Sequence, residues 1–336
     1  MTKINPNITI DEDFEPEAVI NRRKIGAPRT PRFRPTWRSE HAVADEALRY
    51  AGPDAIGNAE LFSPTYQGSR FEREMILNYL GDFYDSHVLT DVLQRVKGGK
   101  EANVYCCRAH PEVGTDLLAA KLYRPRMLRN LRNDARYRQG RDYLDEFGKV
   151  IGDDRLMVAI RKGSSYGKQA AHTSWLQHEY TALELLHQAG CSVPRPVAVG
   201  NNTILMEYIG DLEQSAPTLH EVHLAYSQAR TLFDRLLVDL DKMLAVGRVH
   251  GDLSSFNVLY WQGEGRIIDL PQTVDPRQNA DAWDIFQRDV TRLCQYFQRY
   301  GLGRHPLRLA GEMWDRYAYP RGPDAPLEVE SEDEEE

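Results

Sequence analysis

In VHGDLSSFNVLYWQGEGRIIDLPQ, residues 249–272, two carboxylates and an amide stand beside apolar runs that favour β-structure. Val258-Leu259-Tyr260 and Ile267-Ile268 have the composition of short buried strands, and Asp252, Asn257 and Asp269 lie at their ends. Gln262-Gly263-Glu264-Gly265 between them is a turn sequence, so the pair reads as a hairpin, in which Asp and Asn would serve only as turn formers or caps. That reading leaves their order unexplained. His-x-Asp, an Asn five residues after the Asp, a strand, a turn and a second strand ending in Asp is how phosphotransferases hold metal-bound ATP. In such chemistry Asp252 accepts or orients the proton of an attacking hydroxyl, while Asn257 and Asp269 offer hard oxygens to Mg²⁺. Asp269, beside the γ-phosphate and without a hydroxyl acceptor present, is also a competent nucleophile, giving an acyl phosphate. His250 reads as a packed, hydrogen-bonded loop residue.

A site of this kind needs a phosphate loop and a lysine from an earlier element. Gly98-Gly99-Lys100-Glu101-Ala102-Asn103-Val104-Tyr105 lies between two strand candidates, where small residues let backbone N–H groups approach phosphate, although a Gly-Gly pair in a hairpin is equally a plain turn. Lys121 is central in AAKLY, where an inward lysine is costly to bury unless paired, and Glu179 on the next helix is its natural partner. The alternative has Lys121 pointing outward and Glu179 on a solvated helix face. Met206, Glu207, Tyr208 and Ile209, at the end of a later strand, would form a hinge whose backbone pairs with adenine; they also suit a buried edge strand. Each plain alternative stands singly, and the combination in this order argues for nucleotide.

The elements follow from periodicity. The 336 residues suffice for a two-lobed protein, and no apolar run approaches the ~18 residues that span a bilayer. The start shows no apolar secretory segment. The four cysteines, two of them adjacent, form no CxxC pair, which suits a reducing cytoplasm. Residues 1–65 are a Pro-rich, basic and largely irregular arm, with one helix candidate over Glu40–Tyr50, and residues 323–336 are an acidic tail expected to be disordered. Phe71, Met75, Ile76 and Tyr79 predict a helix closed by Gly81. Strands are expected before Gly98, over Asn103–Cys107 and over Leu117–Tyr123. Residues 124–172 read as irregular, with Arg126, Arg129 and Arg132 as a short basic face. A helix over Ser174–Gln188, strands over Val197–Val199 and Thr203–Tyr208, and helices over Glu221–Val246 and Asp281–Tyr300 complete the pattern. Strands dominate first and helices second, so the first lobe is placed at 66–210 and a helical lobe at 211–322, an α+β arrangement.

These residues resemble the RIO family of atypical serine/threonine protein kinases. The resemblance rests on GGKEANVY at 98–105, AAKLYR at 119–124, WLQHEYTALELLHQAGCSVPRPV at 175–197, LMEYIG at 205–210, HGDLSSFNVL at 250–259 and IIDLPQTVD at 267–275. It implies a bilobal protein-kinase-like fold: a small antiparallel sheet with one helix and a mainly helical second lobe, truncated after the metal-binding loop. It further implies that Lys100, Glu101, Lys121 and Glu179 serve the phosphates, that Asp252 is the catalytic base, that Asn257 and Asp269 hold Mg²⁺, and that stretch 124–172 is a loop open to autophosphorylation. No winged helix is evident before residue 85, which points to the branch without one. The implied partners are ATP, a protein substrate or the chain itself, and a small ribosomal subunit with its RNA, with no membrane. Two rivals share the same pocket: a small-molecule phosphotransferase of the aminoglycoside or choline type, disfavoured by Leu270-Pro271-Gln272 after Asp269, and a nucleotide-gated ribosome-binding factor with little kinase activity.

Overall fold

The computed structural model describes residues 62–99, 101–124, 134–200 and 202–322. Most of the expected arm with its Glu40–Tyr50 helix, Lys100, the arginines at 126, 129 and 132, and the acidic tail lie outside the described residues.

Helix α1, Arg70–Asp85, opens on a capping box in which the Ser69 hydroxyl accepts the Glu72 N–H and the Glu72 carboxylate accepts the Ser69 N–H. It does not stop at Gly81. A mid-helix glycine costs about 1 kcal/mol, whereas Leu80 and Phe83 on either side are buried, each a gain of about 1.5–3 kcal/mol. The buried face is Met75, Ile76, Leu80 and Phe83, and Phe71, expected on it, is 68% exposed.

Strands β1 (Leu89–Gly98), β2 (Ala102–Ala109), β3 (Leu117–Tyr123), β4 (Pro196–Gly200) and β5 (Thr203–Glu207) form one antiparallel sheet in the order β1-β2-β3-β5-β4. The two-residue period of a strand gives this sheet two different faces. Tyr105, Cys107, Ala120, Leu122 and Leu205 pack with the buried face of α1. Ala119, Lys121 and Tyr123 point the other way, with Val104 and Ile204 in register beside Lys121.

Between β3 and β4 the described residues are more ordered than the irregular stretch expected over 124–172. They form α2 (Asp134–Arg138), α3 (Asp154–Lys162) and α4 (Ser165–Gln188). Asp153 caps α3 by accepting the Arg155 N–H, Gly163 ends it at φ 63°, and Ser164 caps α4. No residue of α3 is buried. The two helices meet at Gly167, where a Cβ would lie 2.1 Å from the Ala159 carbonyl oxygen.

The second half contains α5 (Tyr226–Ala245), the hairpin β6 (Val258–Trp261) and β7 (Glu264–Ile267), α6 (Ala282–Gln298) and α7 (Pro306–Asp315). Helix α5 starts later than Glu221, because Leu219–Glu221 forms a separate 3-10 turn held by Thr218 and Glu221. The hairpin turn is only Gln262-Gly263, both at positive φ. Gly265, expected in the turn, lies in β7, where a Cβ would come within 2.7 Å of Leu232. Helix α7, which the sequence pattern did not suggest, is anchored by fully buried Trp314 against Trp283 and Phe286. Leu176, Leu183 and Leu186 of α4 join the same core as Leu232, Leu236 and Leu240 of α5 and Phe286, Val290 and Phe297 of α6. All four cysteines are free and buried. Among the described residues no helix is long and apolar enough to cross a membrane.

Candidate active site

The inner face of the sheet, the α4 helix and the loops around the β6–β7 hairpin enclose a cleft of about 850 Å³. Lys121 reaches into it from β3. Its Nζ lies 2.7 Å from Glu179 Oε1 and 2.7 Å from Asp269 Oδ1, so one ammonium joins the sheet, α4 and the loop after β7. Burial disfavours that charge, but Asp269 and Glu179 outweigh it and hold the Lys121 pKa well above the ordinary lysine value. Tyr123, two residues on and on the same face, donates its hydroxyl to Glu179 Oε2 and meets Trp175 edge to face at 4.8 Å. Glu179 is thus gripped by both side chains, which fixes its rotamer.

The loop before β6 is built on buried polar groups. His250 is fully buried, and burial lowers its pKa, so the ring is neutral. Its Nδ1 accepts the Asp252 N–H at 3.2 Å, which leaves the proton on Nε2 to be donated to the Ile268 carbonyl at 3.1 Å. This is the packing role expected of it. Asn257 Nδ2 donates to the Asp252 carbonyl at 2.9 Å and to Asp252 Oδ2 at 3.3 Å, while Arg292 Nη1 donates to Asp252 Oδ1 at 2.8 Å. Asp269 adopts φ 67°, a left-handed conformation that Asp tolerates better than most residues.

Gly251 is obligatory at its position. It has φ 85°, and a Cβ there would sit 2.3 Å from the Gln272 carbonyl oxygen, driving the Asp252 and Asp269 loops apart. Gly251→Ala is therefore expected to lower stability by more than the ~1 kcal/mol of backbone strain alone and to depress nucleotide turnover; unchanged thermal unfolding would contradict it.

Asp289, on α6, has the buried position of an apolar residue: Ile285, Phe286, Val290 and Leu293 surround it on the helix. Its carboxylate accepts the N–H of Gly251 at 2.7 Å and of Leu253 at 3.2 Å, bracketing Asp252. Burial raises its pKa to about 7, against the lowering effect of those bonds and Arg288. An acid with a raised folded pKa binds its proton more tightly in the native state, so this contribution to stability is fully present below the unfolded pKa and is lost as pH rises through the folded value of about 7. The stability advantage of wild type over Asp289→Asn should shrink from pH 5 to pH 8 in denaturant titrations; an advantage independent of pH would refute this. Asp289, Arg292 and Tyr123 escaped the sequence reading. A carboxylate in register with an apolar helical stripe was the available signal for Asp289, and the two-residue strand period was that for Tyr123.

Of the remaining expected residues, Gly99, Glu101, Ala102 and Val104 line the cleft, with the Gly99 N–H closing the turn on the Ala102 carbonyl at 2.9 Å. Gly98 instead ends β1 opposite Asn103 and is not part of the cleft wall. Met206, Glu207, Tyr208 and Ile209 line the cleft together at the end of β5. Asn257, with Nδ2 engaged by Asp252, has a carbonyl oxygen to offer beside two carboxylates. This all-oxygen set fits Mg²⁺, which completes its shell with phosphate and water. Among the described residues no group of three or more His, Cys, Asp or Glu is placed to hold a metal ion by itself.

A lysine-bearing antiparallel sheet over a helical lobe that carries Asp252, Asn257 and Asp269 defines a protein-kinase-like fold. The chain belongs to the RIO family: the RIO domain matches residues 104–308. Similar curated proteins are the RIO-type serine/threonine-protein kinase Rio1 of Haloferax volcanii, 30% identical over 61% of this chain and 63% of that protein, and the serine/threonine-protein kinase RIO1 of Chaetomium thermophilum, 28% identical over 68% of this chain and 43% of that one. The human serine/threonine-protein kinase RIO1 is 28% identical over 64% of this chain and 34% of its own length. The chain thus spans less than two thirds of each of these relatives. The crystal structure of the Rio2 kinase from Chaetomium thermophilum shares the fold, with a TM-score of 0.50 and 17% identity over 84% of this chain and 80% of that one.

Proposed function

We propose that this chain transfers the γ-phosphoryl group of Mg²⁺-ATP, as a RIO-type serine/threonine protein kinase, an ATPase, or both. The observation that carries this is the single ammonium of Lys121 held between Glu179 and Asp269 at the edge of a cleft that also contains Asp252 and Asn257. Lys121, extended by Glu179, holds the α and β phosphates; the turn at 98–102 covers them; Met206 to Ile209 border adenine. Asn257 and Asp269 hold Mg²⁺, which when bound neutralises phosphate charge. Asp252, fixed by Arg292 and Asn257, accepts the acceptor's proton as the new oxygen–phosphorus bond forms and ADP departs.

One observation favours a substantial ATPase component. Residues 270–281 lead directly from Asp269 into α6, leaving little chain to form a platform for a protein substrate. Asp269 can then take the phosphoryl group itself. Its carboxylate oxygen bonds to phosphorus as ADP leaves; water next attacks that phosphorus, Asp252 takes the proton, and inorganic phosphate departs with the carboxylate restored. A role with the small ribosomal subunit rests on the family and on the basic residues of the arm. The test is incubation with γ-labelled ATP, alone and with ribosomal subunits, aminoglycosides and a generic protein. Label in protein or in released phosphate supports the proposal, label in aminoglycoside would replace it with the small-molecule reading, and no Mg²⁺-dependent label would end it.

A further inference from the structure

Residues 134–150 are tied at once to α4 and to both loops that carry the acidic site residues. Toward the loops, Arg141 Nη2 donates to the carbonyls of Pro271 at 3.0 Å and Thr273 at 2.6 Å, immediately past Asp269. Buried Tyr137 receives Arg288 Nη1 on its hydroxyl at 2.7 Å, and its ring lies 5.8 Å from the same guanidinium. The other arm of Arg288 donates to the Gly251 carbonyl, next to Asp252. Asn279 Nδ2 fastens the Arg136 carbonyl at 2.7 Å, and at Gly140 a Cβ would come within 2.6 Å of Gln278, so backbone and loop touch. Toward α4, the Ser174 hydroxyl accepts the Leu144 N–H at 2.9 Å, Gln177 donates to the Glu146 carbonyl at 2.7 Å, and His178 Nε2 lies 2.6 Å from the Asp142 carbonyl. These three side chains immediately precede Glu179 on its helix.

We propose that residues 134–150 are an internal brace that sets the Asp252 and Asp269 loops relative to Glu179, with Arg141 and Tyr137 as positioning residues. The inference rests on the Mg²⁺-ATP reading of the cleft and deepens it. Neither residue lines the cleft, so their action passes through backbone. The loops at 250–257 and 269–275 are irregular, and their carbonyls need donors that no regular ladder supplies. A guanidinium gives several donors in a fixed plane, so it can fasten two carbonyls without adding mobility. Arg141 acts on the Asp269 side, and Tyr137 acts on the Asp252 side by steadying Arg288. In this chain the stretch preceding the Glu179 helix supports the acidic loops from outside.

The test separates metal presentation from general stability. The Mg²⁺ concentration for half-maximal binding of a fluorescent ADP is measured for wild type, Arg141→Ala, Arg141→Lys and Tyr137→Phe, alongside kcat and KM for ATP and thermal unfolding. Arg141→Ala should raise the Mg²⁺ requirement and lower kcat by about tenfold each, as expected from losing charged hydrogen bonds, with ADP binding in EDTA unchanged. Arg141→Lys, which keeps one charged donor, should recover part of both losses. Tyr137→Phe keeps the ring and should lower kcat while leaving KM for ATP in place. If Arg141→Ala does not fold, the other two variants decide. Folded variants with the wild-type Mg²⁺ requirement and kcat would overturn the brace and leave the proposed function standing. A wild-type protein that binds no Mg²⁺-nucleotide would overturn both.

Discussion

Lys121→Met is expected to remove most nucleotide turnover and a large part of the stability of the cleft. The Nζ it deletes makes two charged contacts of 2.7 Å, to Glu179 and Asp269. Charged hydrogen bonds of this kind contribute about 1.5–3 kcal/mol, so loss of the phosphate contact alone predicts a fall of roughly 10- to 150-fold in kcat/KM. Stability should suffer separately, because Glu179 is left buried without its cation; breaking such a pair from one side costs about 3–5 kcal/mol when fully buried, and the partial exposure of Asp269 places the expected loss toward the lower end. Adding Glu179→Gln to Lys121→Met removes the stranded charge. The double variant should therefore regain stability in denaturant titrations and regain no turnover. Undiminished turnover in Lys121→Met would sink the assignment of this lysine to phosphate. Since Asp269 and Glu179 hold its pKa well above the ordinary value, no Lys121 titration should enter the activity profile near neutral pH.

Asp252→Asn should separate phosphoryl transfer from hydrolysis. General-base groups contribute about 10²–10⁴-fold, and steady-state release of phosphate should fall within that range while Mg²⁺-ADP binding persists. Asp252 is well prepared for the role: Arg292 and Asn257 hold its carboxylate, and Asp289 fixes the N–H groups on both sides of it. If Asp269 is the acceptor, its formation of a bond to phosphorus does not require Asp252, but breakdown by water does. Label from γ-labelled ATP should then accumulate in Asp252→Asn and be released by hydroxylamine, which attacks acyl phosphates and spares phosphoserine. Label that resists hydroxylamine would assign Asp269 to metal binding alone. Asp269→Asn should remove the sensitive label in either background.

The parts of the site that were legible before folding are those encoded by short spacing. His250 to Asn257 is one loop, Lys121 sits on one strand, and the alternation of AAKLY between two faces determined that Lys121 and Tyr123 would point away from the partners of Ala120 and Leu122. The hairpin was legible because Gln262-Gly263-Glu264-Gly265 carries turn glycines between two apolar runs, although its exact register was not: Gly265 is a strand residue whose missing Cβ leaves space for Leu232, a residue far away in sequence. The extent of α1 past Gly81 also depended on a remote partner, the sheet face opposite the cleft, which propensity does not contain.

By itself the amino-acid order determined the α+β class and marked the groups proposed to handle Mg²⁺-ATP, because strand and helix periods and loop spacings are local properties. The sequence paired Lys121 with Glu179 as an expectation, and only the tertiary structure added Asp269, 148 residues from Lys121, to the same ion-pair centre. It alone turned Asp289 from a polar interruption of α6 into the acceptor for the Asp252 loop, and the region after β3 into a strap between α4 and that loop. Charge pairing, burial and backbone satisfaction act over a few ångströms of space whatever the distance along the chain, so they become readable only when the chain has brought their partners together.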